Sequence, residues 1–235
     1  MFGSYNCPVS IEKENLLISL ETEGDVKYYR RECLDNEVEK IVLNGNGNIL
    51  FNPVEPVNLP KEITSYLLIE FERSFMVEPG TTRKIYIKFP VEVGVFISAK
   101  KKYEVIDVFT MVNQKFILYG DPRSGIICKY WLSDVYFSLP SADPMLEGVI
   151  ELEIMNTTIH WAELTRVVFN AYAMKIYYGD DIVSMKAKMK IMAGEIAETD
   201  FVNSPINKGM KKSVELYTTR RVVALGTKFL MEKGL

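Results

Sequence analysis

Between residues 63 and 97 the chain repeats with a period of two. Ile63, Leu67, Ile69 and Phe71 occupy odd positions. After a Glu78-Pro79-Gly80 turn, Ile85, Ile87, Phe89, Val91, Val93, Val95 and Ile97 do the same, with Lys84, Lys88 and Glu92 between them. Successive side chains leave a pleated backbone on opposite faces, so this spacing predicts strands with one dry and one wet face. Antiparallel sheets tolerate such one-sided burial.

The reading extends in both directions. Residues 16–20, a Glu23-Gly24-Asp25 turn and residues 26–30 predict a hairpin. Ile41-Val42-Leu43 and Ile49-Leu50-Phe51 flank Asn44-Gly45-Asn46-Gly47-Asn48, whose Asn and Gly tolerate the positive φ of tight turns, and predict another. Pro53, Pro56 and Pro60 mark an extended connector, because proline supplies no ladder N–H. Residues 98–102 read as a charged turn, 105–111 and 116–119 as a hairpin around Asn113-Gln114, and 120–125 as a loop. Residues 126–137 are rich in strand formers, among them Tyr130, Trp131, Val135 and Tyr136.

Residues 139–144, with Pro140, Ser141, Asp143 and Pro144, suggest a boundary, behind which patterning restarts. Ile150, Leu152 and Ile154 alternate with Glu151 and Glu153; Met185, Ala187, Met189 and Ile191 alternate with Lys186, Lys188 and Lys190. Residues 161–171 and 174–178 read as further strands, and 195–212 as a long polar loop. In 221–233, Val222, Leu225, Phe229 and Leu230 fall at helical spacing, with Gly234 as a stop. The expectation is a mainly β protein of antiparallel sandwich architecture, in two sandwich-like units (residues 1–142 and 143–235), the second ending in a short C-terminal helix.

Composition narrows the function classes. At 235 residues and 48% hydrophobic, the chain buries a core without help from disulfides or metals. A net charge of −3 gives no global field for nucleic acid. Residues 182–235 carry ten basic and five acidic side chains, net +5, leaving −8 on the remainder. Cys7, Cys33 and Cys128 are odd in number and far apart, which predicts reduced thiols. The start lacks a basic region followed by an apolar run, and no apolar stretch approaches the roughly 18 residues of a spanning helix, so a cytoplasmic protein is expected.

Several phrases resemble an archaeal family known as domain of unknown function 432: Glu55-Pro56-Val57-Asn58-Leu59-Pro60, Val77-Glu78-Pro79-Gly80, the run from Lys88 to Ile97, and Leu118-Tyr119-Gly120-Asp121-Pro122. The resemblance runs over most of the chain. It implies an archaeal cytoplasmic protein and brings no activity, cofactor or catalytic motif with it.

Candidate chemistry is sparse. His160, the only histidine, sits by the Asn156-Thr157-Thr158 turn and reads as a turn residue beside Trp161 rather than a catalytic base. Glu151 and Glu153 share a strand face with α-carbons roughly 6.5–7 Å apart, the separation of some glycosidase pairs, but read as a solvated face. Asp180-Asp181 reads as a hairpin turn; no calcium-loop pattern is present. Asn44 to Asn48 lacks the Lys-Ser/Thr ending of a phosphate loop. The Asn156 sequon is read as chance.

The expected function is non-enzymatic: a sandwich that binds another protein or itself, as a homodimer through a strand edge. The alternative is a ligand-binding module for a carbohydrate or anionic partner, using Arg123, the aromatic pair Tyr130 and Trp131, or the lysine face Lys186, Lys188 and Lys190. A further alternative is an enzyme with a carboxylate- or lysine-based site assembled from separated loops. No catalytic residue, metal ligand or cofactor is assigned, and nucleic acid is not favoured.

Overall fold

The computed structural model describes residues 1–34, 36–43, 48–60, 63–99, 102–193, 195–216 and 228–235. They form four sheets arranged as two sandwiches. In the first, β1 (Gly3–Tyr5), β6 (Ile49–Val54), β9 (Glu92–Ala99) and β10 (Lys102–Phe109) make one sheet in the order β1-β6-β9-β10. It faces a meander of β2 (Val9–Lys13), β3 (Leu16–Glu23), β4 (Val26–Cys33) and β5 (Asn36–Leu43). The β3–β4 hairpin forms as expected: Glu23 pairs with Val26, and Gly24 supplies the turn at φ +59°.

In the second sandwich one sheet runs β11 (Phe116–Tyr119), β12 (Ile126–Ser133), β7 (Tyr66–Val77), β14 (Ala162–Asn170). The other runs β18 (Lys211–Lys212), β15 (Tyr177–Tyr178), β16 (Val183–Ala193), β13 (Glu147–Asn156), β8 (Thr82–Pro90). Here β17 (Ile196–Val202) also pairs with β16, and β19 (Phe229–Met231) with β17. Most pairings are antiparallel, but β12–β7 and β13–β16 are parallel. The two sheets are joined at both sides. Lys88 N–H donates to Ser133 Oγ (2.8 Å) on one, and Thr199 Oγ1 donates to the Val168 carbonyl (2.7 Å) on the other.

The run from Ile85 to Ile97 links the sandwiches. Its first half is β8, in the second sandwich; its second half is β9, in the first. All seven odd-position side chains are buried, in one core cluster that spans both sandwiches. At the junction Pro90 provides no N–H, and the Val91 N–H donates instead to the Leu146 carbonyl (3.0 Å).

The pairing departs from expectation in several places. Residues 1–142 and 143–235 are not separate in the sheets: β8 pairs with β13 and β7 with β14, so both sheets of the second sandwich cross that line. Strands β5 and β6 lie in different sheets, as do β10 and β11, so neither pair is a hairpin. A turn-rich segment reverses the chain without deciding which sheet the return joins. Residues 44–47 lie outside the described residues. Residues 195–212 are not a loop throughout, since they contain β17. Its buried positions are Ala197 and Thr199, and the buried threonine, satisfied by its bond to Val168, broke the apolar alternation. The helical spacing read over residues 221–233 does not hold at its far end. Phe229 lies in strand β19, its ring against Tyr66 (5.1 Å) and Tyr119 (6.2 Å); residues 217–227 lie outside the described residues.

Candidate functional site

The junction between the sandwiches gathers the buried polar groups. Glu92 opens β9 between Val91 and Val93, an even position that alternation assigns to water; it is 0% exposed. Alternation fails there because the ribbon passes between sandwiches and is covered on both faces. Glu92 Oε1 meets Lys129 Nζ of β12 at 2.6 Å, and Oε2 accepts the Asn58 N–H (3.0 Å). Burial pushes Glu92 up and pulls Lys129 down, while each partner opposes the shift of the other. Asn58 Nδ2 donates to the Glu55 carbonyl. The Glu55 carboxyl is buried, its Oε2 has no hydrogen-bond partner among the described residues, and burial raises its pKa to about 8 against the bonds from its own and the Leu216 amide.

A second node lies in the first sandwich. Asp107, beside a bulge in β10, accepts the Tyr29 hydroxyl (2.8 Å) and Arg31 Nε (2.6 Å). Arg31 also lies over the Phe109 ring at 5.2 Å and donates to Asn36 Oδ1 (3.1 Å). Burial, reinforced by Asp107, raises the Tyr29 phenol far above its ordinary range. Between this node and the junction opens a cleft of about 420 Å³, bordered by Arg31, Cys33, Leu59, Phe109, Val112 and Gln114. The Cys33 thiol is raised by burial, and Cys128 is pushed up to about 12 for the same reason, so both are weak nucleophiles.

The candidate residues read from the sequence do not converge. Lys186, Lys188 and Lys190 lie on β16, in the sheet opposite the one holding Tyr130 and Trp131. They also do not form a bare cationic face. Lys186 pairs with Glu151 (3.4 Å), Lys188 with Glu153 (3.3 Å), and Lys190 stands opposite Glu198 of β17. Glu151 additionally meets Lys84 (3.4 Å) and the Tyr86 hydroxyl (3.3 Å), so this wet face is an alternating ladder of charge. Tyr130 and Trp131 are consecutive on β12 and leave opposite faces, so they make no common platform. Arg123 is exposed in the β11–β12 loop, where Asp121 accepts its backbone N–H (2.9 Å). His160 lies in an exposed turn. The Asn156 side chain is buried and donates to the Val77 and His160 carbonyls (3.0 and 2.9 Å), which leaves the sequon nitrogen committed. Gly179 N–H donates to the Ile182 carbonyl (2.8 Å), closing the Asp180-Asp181 hairpin turn as expected.

Among the described residues no cluster of three or more His, Cys, Asp or Glu is placed to hold a metal ion, and no helix is long and apolar enough to cross a membrane. The buried charged residues that sequence reasoning missed are Glu92, Lys129, Asp107 and Arg31. Glu92, Lys129 and Asp107 share one signal, a charge whose two chain neighbours are apolar; Arg31, between Arg30 and Glu32, carries none.

One edge stands out at the surface. Strand β11 pairs with β12 alone among the described residues, and its Phe116, Ile117 and Leu118 are 37–40% exposed. The Tyr130 N–H bond to the Lys115 carbonyl (2.8 Å) makes 115/130 a hydrogen-bonded pair. By antiparallel alternation the backbone groups of Phe116 and Leu118 therefore point away from β12.

Compared with known proteins, the chain matches over residues 1–232 the family described as Protein of unknown function (DUF432), and it belongs to that family. No curated protein and no solved structure matches it.

Proposed function

For this member of a family without an assigned activity, we propose a non-catalytic association protein that pairs with a second copy of itself through β11. The observation that carries the proposal is the apolar outer edge of β11, which is unpaired among the described residues. Exposed edges are normally protected by lysine, proline or a bulge, and Phe116-Ile117-Leu118-Tyr119 contains neither lysine nor proline. An antiparallel two-fold pairing of two copies centred on Leu118 makes the two Leu118 backbones exchange hydrogen bonds and sets Ile117 of each copy opposite Tyr119 of the other. The protein would then work as a homodimer with one continuous sheet across the two-fold axis. Its free, largely buried thiols support a reducing compartment such as the cytoplasm.

Light scattering on a gel-filtration column tests this. The dimer mass is expected at about 100 μM, and a Leu118→Pro variant, which removes an outward-facing N–H and no ladder bond to β12, is expected to run as a folded monomer. A wild-type protein monomeric to about 1 mM defeats the proposal.

A further inference from the structure

We propose that the outer face of the β2–β5 meander docks a protein segment in which lysines alternate with large apolar residues. A groove of about 490 Å³ crosses this face between two rows of side chains. Strand register defines the rows. Glu21 of β3 stands opposite Tyr28 of β4, which in turn stands opposite Ile41 of β5; two residues along, Ser19, Arg30 and Glu39 make the second row. The rows lie roughly 7 Å apart, twice the rise of a strand residue.

The face is apolar and acidic at once. Tyr28, Ile41 and Leu43 are 40%, 67% and 81% exposed, and all three leave β4 and β5 on the same side. Exposed apolar side chains gathered in this way mark interaction sites, whereas single ones do not. Glu12, Glu21, Glu23, Glu32, Glu37 and Glu39 share the face, and Arg30 is the one base on it among the described residues. The other bases of the meander turn the opposite way. Lys13 meets Asp143 (2.9 Å), Arg31 meets Asp107 (2.6 Å), Lys40 donates to the Ile106 carbonyl, and Lys27 is buried. Arg30 is engaged by Glu32 (2.7 Å) and Glu37 (2.8 Å) and lies farther from Glu39 (3.7 Å).

This charge selects the occupant. Six carboxylates against one guanidinium repel an acidic partner and attract a basic one. A lysine of the docked segment lays its methylene stem against Tyr28 and Ile41 and brings its ammonium to Glu21 and Glu39, with the Tyr28 ring as a further partner for the cation. Its apolar neighbours cover Ile41 and Leu43. The face belongs to the first sandwich and β11 to the second, so this docking does not rest on the proposed dimer.

Fluorescence anisotropy with a labelled seven-residue peptide of alternating lysine and leucine tests the proposal. One control peptide replaces leucine by serine; the other replaces lysine by glutamate. The probe is expected to bind with a Kd below about 100 μM at about 50 mM salt, and at least about fivefold more weakly at about 300 mM. Each control is expected to bind at least about tenfold more weakly than the probe. Ile41→Ser, and separately Glu21→Gln with Glu39→Gln, change exposed side chains and are each expected to weaken the probe about five- to tenfold. Glu104→Gln with Glu163→Gln, which removes two exposed carboxylates from other sheets, is expected to leave the affinity unchanged. No binding of the probe at about 1 mM overturns the proposal. So does a control peptide that binds as tightly as the probe, or a loss in the Glu104 and Glu163 variant equal to that in the Glu21 and Glu39 variant.

Discussion

The Glu55 carboxyl makes stability depend on pH in a way that can be worked through. In the unfolded chain it titrates near 4.5; in the folded protein burial raises it to about 8. Between these values the native state holds a proton that the unfolded state has released. Unfolding therefore releases a proton, and stability falls as pH rises. The contribution is fully present below about pH 4.5 and is lost as pH climbs through about 8. A separation of about 3.5 pH units corresponds to about 5 kcal/mol, at 1.36 kcal/mol per unit. Glu55→Gln removes the titration while keeping shape. Below pH 4.5 the two proteins are expected to agree within about 1 kcal/mol, because protonated Glu and Gln each place a donor-bearing atom where Oε2 now lacks a partner. At pH 9 the variant is expected to be the more stable by several kcal/mol, about 5 at most. Urea denaturation from pH 4 to 9 measures both, and taking the difference between the two proteins cancels the titrating groups that do not interact with Glu55, leaving its coupling to Glu215 and Glu92 in the result. Parallel pH profiles for wild type and variant refute the reasoning.

Other expectations concern the same core. Lys129→Met leaves the Glu92 carboxylate buried without its cation and is expected to cost about 3–5 kcal/mol at pH 7. The double variant with Glu92→Gln is expected to recover most of that loss, and urea melts of the single and double variants check it. Gly148→Ala places a Cβ 2.3 Å from the Phe89 ring, so a loss of about 1–3 kcal/mol is expected in thermal denaturation. Cys128, with its thiol pushed up to about 12, is expected to stay unmodified by a disulfide reagent at pH 8 until urea unfolds the chain, read by thiol titration.

The parts legible in the sequence are those that one strand decides alone. Whether Ile150, Leu152 and Ile154 share a face depends only on their spacing, and these three side chains are buried. The turn at Gly24 is equally local. Which strand lies next to which is a property of pairs. Nothing in residues 147–156 states that their neighbours are β8 on one side and the parallel β16 on the other. The same limit hides the polar groups of the junction. A lone Glu92 in an alternating run is indistinguishable from a solvated glutamate until Lys129, 37 residues away, arrives beside it. The lysines of β16 show the converse. As a sequence they are three cations on one face; in the fold two of them meet glutamates of β13, which the sequence had shown as a separate acidic pair. Periodicity therefore locates the core, whereas the buried ion pairs and the cleft beside them arise only once strands distant in sequence have chosen each other.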